Sequence, residues 1–502
     1  MTGTVDRHLV RRGALLLLIL LAFGIRLSGL TAQSFWRDEV DALRFSAVPL
    51  ASLLSGFTRP GWNGPLFYVW LRLWIVLVGR SEFAVRYLSL LLGVLGTALL
   101  YRLGREWFAP RVGALAALLT ASSPYMVWYA QEGKMYALLC ALAIGTLLVY
   151  QRAVSSGHTH LWIAMVLLAW GTAAVHIVGA LIIPLMAALL AVWWPIARRH
   201  WRKACLALAA SILPGFVVLP WIVPYLLRGA DIGHRFVPLL GIVVTMLYAF
   251  GRGISTAGGL WPIGLALFGL LAGTMLWSGT SLFSWPQPRP QDRKSPGSGS
   301  SERSSVLAAW TWFLLPILGL YLVTLRVPMF VDRYLIWIGP AFYLLLARGF
   351  DQLWRQSSYL SGICLAAMLA LNCWGVWAQS VEPLKSDFRT AAAHVRQHRL
   401  PGELILFHIS YVRQTFEYYY GDSSPAADGV ATDERTTPEA VDAAMRQRLA
   451  GYDVVWLVLS EPEMWDQRGM TVAWLDAHGT LLMRADLARV SVVQYRIVRD
   501  LP

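Results

Sequence analysis

The sequence predicts a polytopic α-helical membrane protein that ends in a small extracytoplasmic α/β domain, and three observations carry that expectation. Of its 502 residues, 57% are hydrophobic and only 14% charged, against roughly 25% charged in globular chains; mean hydropathy is +0.52. Long, nearly uncharged runs recur from Arg12 to Gln379. Each must satisfy its own backbone polar groups in lipid, which helices do. From about Ser380 the charges rise and helix-like and strand-like segments alternate, the pattern of an α/β domain. A soluble enzyme, a disordered chain and a β-barrel are excluded. The net charge of +14 is not a nucleic-acid signal. Arg11-Arg12, Arg198-Arg199-His200 and Arg202-Lys203 lie between apolar runs, where basic residues mark cytoplasmic loops. The expected partners are membrane lipids, with no nucleic acid. Cys140, Cys205, Cys364 and Cys373 share no ligand spacing and read as small buried hydrophobes without disulfides.

Threading follows from alternation of sides. Gly13–Leu30 follows Arg7, Arg11 and Arg12 without an A-x-A-like cleavage site, so it reads as a retained signal anchor and first span. Residues 31–86 mix apolar runs with charges and form a first outer loop. Within it, Pro65–Gly79 is 15 residues long with Arg72 at its middle, too short to cross, and reads as an interfacial helix. Further spans are expected at Tyr87–Leu103, Val112–Trp128, Ala137–Tyr150, Leu161–Trp193 (two helices with an outer turn at His176), Ala204–Trp221, Leu260–Trp277, Val306–Leu325, Leu335–Ala347 and Leu360–Trp377. Gly241–Phe250 reads as another interfacial helix, and the Pro-, Ser- and Gly-rich 278–305 as a flexible cytoplasmic loop. About eleven spans result. Residues 1–379 thus form a transmembrane domain in the inner (plasma) membrane, and 380–502 the extracytoplasmic α/β domain. Trp36, Trp62, Trp128, Trp221 and Trp377 fall near outer ends, as interfacial aromatics do. In the last domain, helices are expected at Phe388–His398 and, capped by Thr437 with Pro438 following, up to Leu449; strands are expected at Glu403–Ile409, Asp453–Leu459 and Val490–Ile497.

The unusual polar clusters fall on the outer side. Asp38-Glu39 is an adjacent carboxylate pair just beyond the first span. One member can face a substrate while the other accepts hydrogen bonds or holds a cation; a solvated loop or a helix N-cap explains such a pair equally well. Gln131–Tyr136 sets Glu132, Lys134 and Tyr136 at the end of a span, where a cation and a phenol can grip an anionic headgroup or Lys134 simply snorkels. Arg333, flanked by Asp332 and Tyr334, and Arg86 at the mouth of the second span are either further anion ligands or interfacial anchors. His176 is either a turn residue or a substrate contact. Together, an outward carboxylate beside several cations suits transfer of a group from a lipid-linked phosphate; the same charges suit an ion-coupled transport path.

The order of these motifs resembles the bacterial GT-C glycosyltransferases grouped as family 39, which include protein O-mannosyltransferases and the aminoarabinose transferases that modify lipid A. Trp36–Glu39, Asn63–Tyr68, Gly79–Arg86, Ser123-Pro124, Gln131–Tyr136 and Asp332–Tyr334 carry the resemblance. Lys385–Ala393 and Phe407–Arg413 are similar to the outer domain of bacterial members. The chain departs from the family's usual Pro-Pro pair at Gly64-Pro65, and from its frequent Arg at Lys134. The resemblance implies a GT-C-like fold and an inverting hexosyl or pentosyl transfer. The sugar would move from a polyprenyl-phosphate donor to a lipid, protein or polysaccharide acceptor at the outer face of the cell envelope. It further implies Asp38 as general base, with Glu39 orienting Asp38 or the acceptor, or helping to hold a divalent metal where one is used; no cofactor is otherwise expected. Arg86, Lys134, Tyr136 and Arg333 would bind the donor phosphate, with Glu132, His176 and Tyr334 as further substrate-contact candidates. A lipid-linked sugar flippase or ion-coupled transporter is the alternative, and would need a polar path to both faces.

Overall fold

The computed structural model describes residues 7–55, 64–229, 234–254, 298–462 and 466–498. The chain divides into two compact units, residues 1–30 with 45–379 and residues 31–44 with 380–502. The acidic segment that the sequence assigns to the membrane domain is therefore grouped with the carboxy-terminal part of the chain.

The first unit is helical. In chain order the helices are α1 (Arg7–Leu27), α2 (Arg37–Ala47, which begins in the second unit), α3 (Leu50–Ser55), α4 (Pro65–Val78), α5 (Glu82–Trp107), α6 (Pro110–Ser122), α7 (Pro124–Ala130), α8 (Tyr136–Ser156), α9 (Thr159–Val175), α10 (Ile182–Val192), α11 (Trp194–Ala197), α12 (Trp201–Arg228), α13 (Leu239–Arg252), α14 (Ser298–Thr324), α15 (Gly339–Gln356) and α16 (Ser358–Val381). Among the described residues, four of these are long and apolar enough to cross a membrane, or five if the bent pair around Trp193 is one span. That is fewer than the eleven spans expected. The first reason is that prolines and polar breaks interrupt the apolar runs. Val112–Trp128 is two helices meeting at Ser123-Pro124, and Leu161–Trp193 breaks at His176 into α9, a short 3-10 helix (Ile177–Leu181) and α10. The second is that the expected span Leu260–Trp277 lies outside the described residues, as do Trp62, Asn63 and positions 278–297 of the expected loop. The rest of that loop, 298–305, is not loop but the start of α14. The expected interfacial segments at Pro65–Gly79 and Gly241–Phe250 are the helices α4 and α13.

All four cysteines are free; Cys140 and Cys364 are buried, whereas Cys205 and Cys373 are exposed on their helices, against the expectation for all four. Gly64 explains the departure from the Pro-Pro pair. Its φ of +89° is closed to proline, whose ring holds φ near −65°, and a Cβ there would stand 2.6 Å from the Val175 carbonyl oxygen.

The second unit carries a five-stranded sheet of β1 (Leu404–Phe407), β2 (Ala426–Asp428), β3 (Val454–Leu459), β4 (Gly479–Leu487) and β5 (Val490–Ile497), in the order β2-β1-β3-β5-β4. β1 runs parallel to both β2 and β3, while β5 is antiparallel to β3 and β4. β1 is buried on both faces, as a strand covered by helices on each side must be. One core gathers Phe388, Val395, Phe416 and Trp456, from α17 (Phe388–His398), α18 (Val412–Tyr420) and β3. The other gathers Met445, Leu449, Leu457 and Leu475, from α19 (Pro438–Leu449), β3 and α20 (Met470–His478). Thr437 caps α19 through its hydroxyl and Pro438 follows it; both fit the missing donors of a first turn. Trp36 lies in this unit, half-buried, with the Lys385 ammonium 5.9 Å from its ring; it is a packing residue there.

Candidate functional site

The helical unit builds its candidate site around the turn at 131–135. α6 ends because Pro124 starts a new helix, with the Ser123 hydroxyl accepting from the Met126 amide at 3.3 Å. α7 runs only to Ala130, and Gln131 then locks the turn by donating to the carbonyls of Arg26 (2.9 Å) and Ser28 (2.7 Å). The Ser89 hydroxyl on α5 donates to the Lys134 carbonyl at 3.2 Å. Glu132, Lys134 and Tyr136 are consequently buried.

Lys134 holds its ammonium 5.8 Å from the centre of the Tyr68 ring on α4, near enough for a cation–π attraction. His176 lies within electrostatic reach of both Lys134 and Arg333. Its ring stands 4.7 Å from that of Tyr334, and its Nδ1 accepts from the Val178 amide at 3.2 Å. That bond makes His176 a turn-former as well, and leaves Nε2 to carry the proton of the neutral ring. Tyr136 packs at 5.0 Å on Tyr129, which packs at 4.8 Å on Tyr125. Glu132, Asp332 and Arg333 all lie within electrostatic reach of Tyr129. Residues 132–136 and 176, which are buried, and 332–334, which are half-buried, thus converge from distant parts of the sequence on one tyrosine-lined place.

Arg86, also buried, sits one turn before Ser89 on α5 and donates to the Leu30 carbonyl at 3.0 Å. The sequence did not single out Arg26, yet it is buried in α1 and donates to the carbonyls of Ala22 (3.1 Å), Ala121 (3.0 Å) and Thr120 (3.2 Å). The last two belong to the end of α6, whose final carbonyls lack helical partners. Arg26 therefore pins α1 to the end of α6 and, through its own carbonyl and Gln131, to the turn carrying Lys134. An arginine inside an apolar run was the available signal. Tyr68 and Tyr129 were also missed as site residues; apolar periodicity does not distinguish them from core.

The carboxylates belong to the second unit. Asp38 and Glu39 lie in the first turn of α2, which begins at Arg37; they sit inside the helix rather than at its N-cap, in a turn where the helix dipole favours negative charge. Glu39 is fully buried, and its Oε2 accepts from the Lys385 ammonium at 2.8 Å, a side chain 6% exposed. Asp38 keeps 15% of its side chain exposed beside Arg37, 3.6 Å away. Arg37 in turn lies over the Tyr411 ring at 4.5 Å, and the Tyr411 hydroxyl donates to Glu461 at 2.9 Å. The Gln33 side-chain oxygen accepts from the amides of Leu384 and Lys385, and the Ser34 hydroxyl donates to the Ser386 carbonyl at 2.7 Å. Among the described residues no three His, Cys, Asp or Glu side chains gather as a metal-ligand set; beside Glu39 stands the ammonium of Lys385.

Residues 62–224 match the family model described as dolichyl-phosphate-mannose-protein mannosyltransferase. That stretch is about a third of the chain. It contains Arg86, Lys134, Tyr136 and His176, and leaves out Asp38, Glu39 and Arg333. Among solved structures, ArnT from Cupriavidus metallidurans bound to undecaprenyl phosphate matches with a TM-score of 0.56 at 15% identity, over 96% of this chain and 98% of that one. Its apo state matches with a TM-score of 0.59 at 13% identity and the same coverage. An oligosaccharyltransferase from Archaeoglobus fulgidus, in complex with an inhibitory peptide and a dolichol-phosphate, matches with a TM-score of 0.55 at 12% identity, over 98% of this chain and 75% of that one. No curated protein sequence matches the chain. At these identities the likeness is one of fold: the chain has the fold of the GT-C glycosyltransferases, which are polytopic membrane proteins.

Proposed function

We propose that the protein is a membrane glycosyltransferase that moves a sugar from a polyprenyl-phosphate carrier to an acceptor nucleophile on the outer face of the inner membrane, with inversion. The observation that supports this most is the gathering of Lys134, Arg333, His176 and Tyr136 from three distant segments of the helical unit. A buried cation, Lys134, a half-buried one, Arg333, and an N–H or O–H donor in one place suit a phosphate, which takes charge-assisted hydrogen bonds on several oxygens. The matched proteins whose descriptions name undecaprenyl phosphate and dolichol-phosphate support the same ligand class.

In the reaction, the acceptor oxygen forms a bond to the anomeric carbon as the bond from that carbon to the phosphate oxygen breaks. The bonding pair leaves with the phosphate, giving polyprenyl phosphate. The acceptor's proton becomes acidic as the new bond forms, and Asp38 takes it. Lys134, Arg333, Arg86 and Tyr136 stabilise the negative charge that grows on the departing phosphate, an interaction worth more in the transition state than in the ground state. Glu39 fixes the turn from which Asp38 projects.

The test uses purified protein, a set of polyprenyl-phosphate sugars and a cell-envelope acceptor extract. Release of polyprenyl phosphate together with a sugar-bearing acceptor is expected. Movement of intact lipid-linked sugar across a vesicle membrane, with no chemical change, would replace this proposal with the transporter reading. The sidedness is tested in a cysteine-free background by an impermeant thiol reagent on intact cells. Asp422→Cys, on an exposed loop of the second unit, should react, and Ser155→Cys, exposed at the end of α8, should not; the reverse pattern overturns the outward orientation.

A further inference from the structure

The second unit holds more than a sheet, because residues 31–44 pack into it with the acidic pair. Four separate contacts tie that segment to the stretch just before α17 and to α18. Gln33 receives the amides of Leu384 and Lys385, Ser34 reaches Ser386, and the Phe35 amide donates to the Tyr419 hydroxyl at 2.5 Å. The fourth is the ion pair of Lys385 with Glu39, at 2.8 Å with side chains 6% and 0% exposed. A buried carboxylate without a compensating charge is strongly disfavoured in its ionised form. Beside Asp38, a second buried anion would add like-charge repulsion.

From this geometry we infer that Lys385 is a positioning residue for the proposed base: it neutralises Glu39, holds the first turn of α2, and so fixes the direction from which Asp38 acts. The inference rests on the reading of Asp38 as the base. The carboxy-terminal part of the chain is in this way part of the reaction apparatus. Lys385 touches Glu39 and acts on Asp38 through the backbone turn that the two acids share.

The experiment compares Lys385→Met, Lys385→Arg, Glu39→Gln and the double variant Lys385→Met/Glu39→Gln, all in the full-length protein, with turnover measured per folded molecule. Lys385→Met is expected to lower kcat roughly 10- to 100-fold, part of what a positioned base contributes, with KM for the lipid-linked donor within about twofold. Lys385→Arg keeps the charge and should recover most of the turnover. The double variant, which removes both the ammonium and the anion it serves, should turn over faster than Lys385→Met alone. Two results overturn the inference: Lys385→Met with parental kcat, or a double variant showing the product of the two single effects. Should Lys385→Met fail to fold, Lys385→Arg and the double variant still decide, because failure of the first to sustain turnover and of the second to fold better than the single would each contradict the pairing. Asp38→Asn separates the two readings. Parental turnover by that variant removes Asp38 as base, whereas coupling between positions 385 and 39 is read from their own cycle.

Discussion

The cationic place in the helical unit and the acidic place in the second unit handle buried charge in different ways. In the helical unit, guanidinium and ammonium groups rest on carbonyl oxygens and aromatic faces: Arg26 on three carbonyls, Lys134 over Tyr68. In the second unit, the anion Glu39 meets a full opposite charge at 2.8 Å. Dipoles and ring faces stabilise a cation without carrying a formal charge of their own. An ion pair cancels the charge locally, and what remains is geometry. In the function proposed above, the helical unit would attract a phosphate and the second unit would hold one carboxylate still beside another.

The strongest way to break this comparison is Asp38→Asn, which preserves shape and removes the base. Turnover should fall by about 10²- to 10⁴-fold with the melting temperature unchanged, as measured on purified protein with a lipid-linked donor. Normal turnover would mean that the acidic place serves only architecture.

The next test addresses the cationic place. Arg333→Ala should lower kcat/KM on the order of 10²-fold, with kcat itself falling, because charge on the phosphate grows as the anomeric bond breaks. Arg333→Lys should recover only part, since an ammonium lacks the planar fork for two phosphate oxygens. Parental constants in both variants would make Arg333 an interfacial anchor.

A smaller effect sharpens the contrast within the second unit, where His408 and Asp466 form another buried polar pair with Nε2 and Oδ2 3.5 Å apart. Burial lowers the His408 pKa from 6.5 and outweighs the opposing pull of Asp466. The unfolded state then binds a proton that the folded state refuses, so the contribution is fully present above about pH 6.5 and is lost as pH falls toward the lowered folded value. Hydrogen exchange of the β1 and β3 amides, compared between pH 7.5 and 5.5, should therefore show weaker protection at the lower pH. In His408→Gln that dependence should flatten; an unchanged dependence would assign it to other groups.

Much of the fold was legible because lipid and sheet impose strong periodicities. The helices at Phe388–His398 and Pro438–Leu449 and the strand at Val490–Ile497 occur at the expected residues, since each helix carries its own cap and the strand a run rich in valine. The break at His176 was legible too, because an apolar run of that length cannot be one helix. β2 and β4 escaped notice. β2 has only three residues, and β4 has all nine of its residues half-buried or exposed, so neither has a clean hydrophobic pattern.

By itself, the sequence determined that the chain is helical and apolar over most of its length, that an α/β region follows, and which charged residues stand out against apolar surroundings. It determined these because they depend on local composition and period. Only the tertiary structure decided the grouping of those charges. Glu39 and Lys385 are 346 residues apart, and nothing local to either predicts that one buried carboxylate meets one buried ammonium. The same holds for His176 beside Tyr334 and for Arg26 on the end of α6. Such pairings arise when distant segments bury polar groups together, and each group's cost of leaving water can be offset only by a partner that the fold brings to it.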